Sequence, residues 1–261
     1  IEIFKSEPDT KFSDFWTRRA MSTYFQRIVN NILEKNLPWQ YMWTSNVMIA
    51  REMEHKKIIG TKAHELEMIP IALLDDPQEI VREMYEIDRK WAKHFPELDI
   101  LLPDTYGTTF YQKNAPKDII ENHIWNRFDS KNPMIAIPEY LDWLLSNGID
   151  PMQKWAFPSD WLKAKKAVEI TRAFKNKVWS LGFGIWTSLT NNTKWTWPRE
   201  SEPYGPFGSF SVVVKPSRVK RPDWTWVSAV KYPDNPKKAV WEIERIKLIK
   251  GIFGDEGRID E

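Results

Sequence analysis

The chain has 261 residues, 42% of them hydrophobic, enough to bury a substantial core and to form one large domain or a domain with an appendage. Thirty-eight Lys and Arg against 36 Asp and Glu leave a formal charge of +2, so no global field selects nucleic acid or an anionic membrane, and any anionic ligand must be held locally. With no Cys, disulfides, thiolate catalysis and Cys-based zinc sites are excluded, which fits a reducing compartment.

No apolar run approaches the roughly 18 residues that span a bilayer, and Ile1-Glu2-Ile3-Phe4-Lys5 lacks the shape of a signal peptide, so a cytoplasmic protein is expected. The first residue is not Met and the chain starts in mid-pattern, which predicts a missing N-terminal part.

In chain order, residues 18–35 put Met21, Tyr24, Phe25, Ile28, Val29, Ile32 and Leu33 at helical spacing, predicting an amphipathic helix with its apolar stripe on a core. Short apolar runs at 57–60, 98–102 and 178–185, bounded by turn residues, predict buried parallel strands. Between them, residues 77–94, 138–147 and 162–175 carry apolar residues three or four apart and predict helices. Alternating strand and helix implies βα units in a barrel or wound sheet, which places ligands at the C-terminal ends of the strands. Residues 207–214 and 224–232 alternate like antiparallel strands and are punctuated by Pro203, Pro206, Pro216, Pro222, Pro233 and Pro236, predicting a β-rich appendage.

Motifs that follow apolar runs carry the candidate chemistry. Thr17, Arg18 and Arg19 combine two guanidinium groups with a hydroxyl at a helix entry, where amide donors and the dipole favour an anion; the alternative is a solvated basic helix start. His64, one of four histidines, follows the strand run Ile58-Ile59 with Glu65 beside it, and is a candidate general base or phosphate acceptor or a structural His. Arg127 and Asp129 fall on one face of a strand, aimed at one ligand or paired as a buried ion pair. Residues 182–191 read as a strand running into a hydroxyl-rich loop suited to a phosphate.

Taken in order, these motifs resemble the nicotinate phosphoribosyltransferase family over residues 11–240. FSDFWTRR at 12–19 is similar to the family's FSDFGTRR, WTSNVMIAR at 43–51 to GTSN with its following helix, and IGTKAHE at 59–65 to GTxAHE. WNRFDSKNP at 125–133 resembles GxRxDSGDP, NGIDP at 147–151 matches GIDP, and FPSDWL at 157–162 matches FSDGL or FSDNL. FGIWT at 183–187 resembles FGIGT, and KYPDNPKK at 231–238 resembles KLSDNPGK.

The resemblance implies an α/β fold, the irregular (β/α) barrel of type II phosphoribosyltransferases over residues 1–200, with a β-rich return segment and C-terminal helix at 201–261. It implies phosphoribosyl transfer from phosphoribosyl pyrophosphate to nicotinate in NAD salvage, with Mg²⁺ and with ATP as co-substrate. By the same analogy His64 is the residue ATP phosphorylates, Arg18 and Arg19 hold the nicotinate carboxylate, and Arg127 with Asp129 orients the pyridine ring and ribose. Thr17, Thr44, Ser45, Ser159, Asp160, Gly184 and Thr187 are the other substrate-binding candidates. A homodimer is implied when the N-terminal domain is present. A development of positive charge at the anomeric carbon while a diphosphate leaves needs the fixed donors and Mg²⁺ that such a site supplies.

The composition departs in one respect: 15 Trp stand against 10 Gly, whereas Gly ordinarily makes up about 7% of a chain. Trp16, Trp43, Trp125 and Trp186 stand where the family has Gly, and Trp161 where it often does. Random decay of a paralogue does not convert glycine selectively to tryptophan while sparing its neighbours. A code reading UGA as Gly, translated as Trp, explains the Trp excess and the Gly deficit together, with Trp195, Trp197, Trp224 and Trp226 as further suspects. Lys131, Asn132, Pro233 and Lys237 also depart from the family pattern, and recoding does not explain them.

An active transferase is the leading reading. The alternatives are a catalytically inactive ligand-binding paralogue on the same fold and a nicotinamide-using enzyme; Arg18 and Arg19 favour a carboxylate over a neutral amide. A nucleic-acid binder is disfavoured because aromatics and cations form no basic stripe.

Overall fold

The computed structural model describes residues 1–53, 57–160, 162–186, 189, 212–240 and 242–258. In chain order the elements are α1 (Glu2–Lys5), β1 (Lys11–Asp14), α2 (Thr23–Asn36), β2 (Tyr41–Thr44), α3 (Val47–Glu52), β3 (Lys57–Ile58), α4 (Glu65–Ala72) and α5 (Pro77–His94). There follow β4 (Ile100–Leu101), α6 (Thr108–Asn114), α7 (Lys117–Asn122), β5 (Trp125–Phe128), α8 (Pro133–Ser146), β6 (Trp155–Pro158), α9 (Ala164–Phe174), β7 (Ser180–Ile185), β8 (Arg218–Lys220), β9 (Trp226–Ser228) and α10 (Ile243–Phe253). The α/β class expected from the alternation is the class observed.

The local chemistry of α5 shows why its bounds coincide with the periodic stretch. Asp76 accepts hydrogen bonds from the backbone amides of Gln78 and Glu79, Pro77 fills the first position, where no amide is needed, and Ile80, Met84 and Ile87 make the buried stripe. The expected helix at 138–147 begins five residues earlier. Asn132 caps Met134 N at 3.0 Å and Pro133 opens the helix, whereas Pro138 lies inside it.

The contacts divide the chain into two compact units. The first comprises Ile1–Gly60, Pro158–Asn176 and Leu181–Val214. Its strands run in the order β3-β2-β1-β7, all parallel, with Phe12 opposite Tyr41 on one side and Phe183 on the other. Every residue of β7 is buried, as its near-continuous apolar run predicts for a parallel strand covered on both faces.

Helix α2 overturns one expectation. The apolar residues Met21, Tyr24, Ile28 and Ile32 are exposed, and the buried positions are Gln26, Asn30 and Leu33. The reason is Asp14, a buried carboxylate at the end of β1 that must be met by donors, which Gln26 and Asn30 supply. The helix also starts at Thr23, after a 3₁₀ turn Thr17–Arg19 and an N-cap in which Ser22 accepts from Phe25 N at 3.1 Å.

The second unit comprises Thr61–Phe157, Lys177–Ser180 and Lys215–Glu261. Here β4 and β5 are parallel, with Ile100 opposite Trp125, and β6 lies beside β5. A core of Ile80, Met84, Leu101, Tyr111, Ile249 and Phe253 joins α5, β4, α6 and α10. Of the expected C-terminal β segment, residues 207–211 lie outside the described residues, and 212–214 form no regular element. β8 and β9 do pair antiparallel, with Val219 opposite Val227.

Candidate functional site

In the first unit, the C-terminal end of β1 carries the anion-binding candidates. Asp14 accepts from Asn30 Nδ2 at 2.7 Å, Tyr41 Oη at 3.1 Å, and Ser45 N at 3.0 Å. Burial pushes its carboxyl above the usual range, against the pull of these hydrogen bonds. Ser45 Oγ also reaches Asp14 at 3.2 Å and meets Thr17 Oγ1 at 2.9 Å, while buried Thr44 accepts from Asn46 N at 3.1 Å. Thr17, Thr44 and Ser45 therefore belong to one network that fixes the turn presenting Arg18 and Arg19.

Both of those guanidinium groups lie on the ring of Trp186, at 5.1 Å for Arg18 and 4.7 Å for Arg19. Trp186 follows β7 directly; its Nε1 donates to the carbonyl of Ser159, and Phe15 meets its ring edge-on at 5.4 Å. Ser159 is buried and Asp160 is half-buried after β6. Gly184 lies within β7 opposite Ser13, where backbone ladders surround it. Thr187 lies outside the described residues.

In the second unit, three other chain segments converge on His64, which immediately precedes α4. His64 Nδ1 is 3.0 Å from Thr105 Oγ1, and Nε2 is 2.9 Å from Lys231 Nζ and 3.3 Å from Asp129 Oδ2. Burial and the Lys231 charge lower the imidazole to a pKa of about 4. At neutral pH the ring is thus uncharged. With the ammonium donating to Nε2, the remaining hydrogen sits on Nδ1 and is donated to Thr105, leaving a lone pair on Nε2.

Arg127 donates to Thr61 Oγ1 and to Asp129 Oδ1, both at 2.7 Å, so the pair predicted to share a strand face is in direct contact. Burial works to raise the Asp129 carboxyl, but the charges of Arg127 and Lys231 outweigh it and hold it well below the ordinary range. Lys231 also donates to Asp104 Oδ2 at 3.1 Å. Asp104 is lowered too, with the Lys231 charge overcoming burial. The later motif contributes further: Asp234 accepts from Thr108 N at 2.7 Å at the start of α6, and Lys238 Nζ lies 3.4 Å from the Asp129 carbonyl.

Sequence reasoning did not assign Asp14, Asp104, Thr105 or Lys231. Asp104-Thr105 follows the apolar run Leu101-Leu102, so inspecting the residues after each apolar run was the signal that reaches it. Lys231 lay inside a quoted motif, but nothing local tells that its side chain ends on a histidine 167 positions away. Lys131, a departure from the family pattern, is buried and bonds Thr109 and Glu139.

His64, Asp104 and Asp129 each offer one ligand atom, all within 4.8 Å of one another. Two carboxylates suit a hard cation and the imidazole does not, and the Lys231 ammonium on Asp104 and the Arg127 guanidinium on Asp129 already balance the two charges. Asp104 Oδ1 is a buried oxygen with no hydrogen-bond donor among the described residues. The donor set is too small for a resident octahedral Mg²⁺ and fits one that brings most of its oxygens with a phosphorylated ligand.

Comparison with solved structures finds the same fold in nicotinate phosphoribosyltransferases. The chain aligns with the Porphyromonas gingivalis enzyme at TM-score 0.83 and 26% identity, covering 97% of this chain and 61% of that one. For the Vibrio cholerae enzyme the values are 0.79 and 25%, with 97% and 58% covered. A putative enzyme from Saccharomyces cerevisiae, at TM-score 0.76 and 23% identity over 97% and 62%, shares the fold. The chain spans about three-fifths of the length of these relatives. The model of the nicotinate phosphoribosyltransferase (NAPRTase) family matches residues 10–204, which include the Asp14 network, His64, Arg127 and Asp129, and the chain belongs to that family.

Proposed function

We propose that the chain carries the phosphoribosyl-transfer core of a nicotinate phosphoribosyltransferase in NAD salvage. In that reaction the ring nitrogen of nicotinate bonds to the anomeric carbon of phosphoribosyl pyrophosphate. The bond from that carbon to the diphosphate oxygen breaks, and nicotinate mononucleotide and pyrophosphate result. The observation that carries the reading is the His64 centre: a neutral imidazole whose Nε2 lone pair is flanked by an ammonium and a carboxylate.

The same geometry supports a coupling to ATP. The His64 Nε2 lone pair attacks the γ-phosphorus, the bond to the bridging oxygen breaks, and ADP leaves with that electron pair. Lys231 beside Nε2 offsets the charge gathering on the transferred group. Asp129 and Arg127, fixed to each other, orient ribose and ring. Arg18 and Arg19 take the nicotinate carboxylate, with Thr17, Thr44 and Ser45 holding their turn. Ser159, Asp160, Gly184 and Thr187 are assigned to ribose and phosphate oxygens.

Mg²⁺ bound to the diphosphate would neutralise the leaving group, with Asp104 and Asp129 as the carboxylates nearest to hand. A homodimer completed by an N-terminal domain and a cytoplasmic location belong to the same reading. No helix among the described residues is long and apolar enough to cross a membrane.

The test uses the full-length protein with γ-labelled ATP. Acid-labile, base-stable label on wild type and none on H64N supports the phosphohistidine, and nicotinate mononucleotide formed from nicotinate, phosphoribosyl pyrophosphate and Mg²⁺ supports the transfer. Label retained by H64N removes the role of His64. A second reading, a ligand-binding paralogue without catalysis, is favoured by the Trp186 ring over Arg18 and Arg19. Nicotinate binding by a protein that forms neither product nor pyrophosphate would establish it.

A further inference from the structure

We propose that Lys62 is a positioning residue for His64: its buried ammonium ties Glu67 of α4 to Asp88 of α5 and holds, from within the core, the first helical turn on which the imidazole stands. This rests on the reading of His64 as the phosphate acceptor and deepens it.

Lys62, Glu67 and Asp88 are all buried, and the Lys62 ammonium donates to Glu67 Oε1 and pairs with Asp88 Oδ1. Lys62 stands two residues before His64 and Glu67 three after it, so their bond closes a short loop with His64 inside. The backbone amides of Glu67 and Met68 donate to the His64 carbonyl at 3.0 and 2.9 Å, which makes that loop the opening turn of α4. Asp88 carries the restraint onward, since its Oδ2 accepts from Tyr111 Oη of α6 at 2.7 Å. Tyr85 of α5 donates in turn to the Tyr111 carbonyl at 2.9 Å. The turn under the imidazole is thereby pinned to α5 and α6 at a single ammonium.

Burial alone would lower the Lys62 pKa, but the charges of Asp88 and Glu67 outweigh it and raise the group, so it is an ammonium. A buried ion cluster is a poor way to gain stability, because taking charges out of water is costly and apolar side chains of the same volume commonly serve as well or better. What it supplies is direction. An apolar side chain at 62 would fill the same space and leave α4 free to slide on α5, whereas an ammonium shared by two carboxylates fixes both. The family pattern GTxAHE leaves position 62 open, so the string alone assigns this lysine nothing. Precision matters because the ring makes two bonds at once, with Nδ1 3.0 Å from Thr105 Oγ1 and Nε2 2.9 Å from Lys231 Nζ. A shift of about 1 Å breaks such bonds and costs on the order of a hundredfold in rate where the displaced group reacts.

The experiment uses the full-length protein as wild type, E67Q and K62M/E67Q/D88N, with melting curves to establish that each is folded. The triple variant removes the clamp and its charges together at nearly constant volume, so no member of the cluster is left as an unpaired charge. E67Q is the conservative rescue, since its amide oxygen still accepts from Lys62. Nitrogen NMR of the His64 ring at neutral pH is expected to show one tautomer, with hydrogen on Nδ1, in wild type and E67Q, and a mixture in the triple variant. With γ-labelled ATP, the triple variant is expected to label about 10- to 100-fold more slowly with KM for ATP changed less than about threefold, while E67Q stays within about threefold of wild type. A folded triple variant with the wild-type spectrum and labelling rate would overturn the positioning role. So would a mixture of tautomers in wild type, a measurement that needs no variant. No label on wild type removes the phosphate-acceptor reading of His64 and leaves the positioning role to be decided by the spectra.

Discussion

Among single residues, Trp224 shows most directly what the tryptophan excess does to the chain. It is the one described non-glycine residue with positive φ, at 71°, in the turn Arg221-Pro222-Asp223-Trp224-Thr225 between β8 and β9. Asp223 accepts from Thr225 N at 3.0 Å and Arg221 N donates to the Thr225 carbonyl at 2.8 Å, so the turn closes as a Pro-Asp turn whose next residue is left-handed. A non-glycine residue in that conformation costs about 1–2 kcal/mol, partly offset by the Lys220 ammonium over the indole, worth about 0.5–1 kcal/mol at an exposed site. W224G is expected to stabilise the protein by about 0.5–1 kcal/mol, a rise in melting temperature of about 1–3 °C; a fall in the melting temperature would count against strain at 224. Trp16 is disfavoured for a different reason, since its buried Nε1 has no hydrogen-bond partner among the described residues. UGA codons at these positions would identify them as glycine in the working protein, and UGG codons would end that reading.

At the level of elements, α2 is placed by polar contacts that its hydrophobic periodicity does not reveal. Asn30 Nδ2 meets Asp14 Oδ2 at 2.7 Å and Gln26 Oε1 accepts from Asn46 Nδ2 at 2.9 Å, tying α2 to β1 and to the start of α3. Removing Asn30 leaves a buried carboxylate short of a donor, a loss of about 1–3 kcal/mol. Because the folded Asp14 carboxyl is already raised, the folded state holds its proton to higher pH than the unfolded chain. Its ionisation therefore lowers stability as pH rises from the unfolded carboxyl pKa through the folded one. N30A, which deletes a bond favouring the charged form, is expected to lose most stability at neutral pH and least in acid. Chemical denaturation at both pH values checks this, and an equal loss at both would show that Asn30 does not act through the Asp14 charge.

On the scale of the whole molecule, the His64 centre draws on chain positions 64, 104, 105, 129 and 231, joined only by folding. Its electrostatics depend on Lys231, which lowers His64 while Asp104 and Asp129 raise it. K231A should therefore move the His64 titration up from about 4 towards its ordinary value of 6.5, with burial still holding it down, followed by NMR of the ring protons. The folded pKa lies below the unfolded one, so protonation of His64 costs wild type stability as pH falls from about 6.5 to about 4, and above that window the group contributes nothing. K231A should narrow that acid-side window, leaving the part due to burial, and an unmoved His64 titration would show that the Lys231 charge does not act on it.

The sequence alone carried the α/β class, the bounds of α5, strand runs near β3, β4 and β7, and the candidacy of His64, Arg127, Asp129, Arg18 and Arg19. Helical and strand periods, caps and punctuating prolines are local, and ordered motifs survive as strings. It misjudged the buried face of α2, because the pattern of apolar residues does not tell which face a buried carboxylate will claim. Which groups meet was decided only by tertiary structure: Lys231 on His64, Thr105 on its other nitrogen, Arg127 on Asp129, and the Trp186 ring over two arginines. Charge, burial and hydrogen bonding act through distance in space, and only the fold brings residues far apart in sequence within that reach.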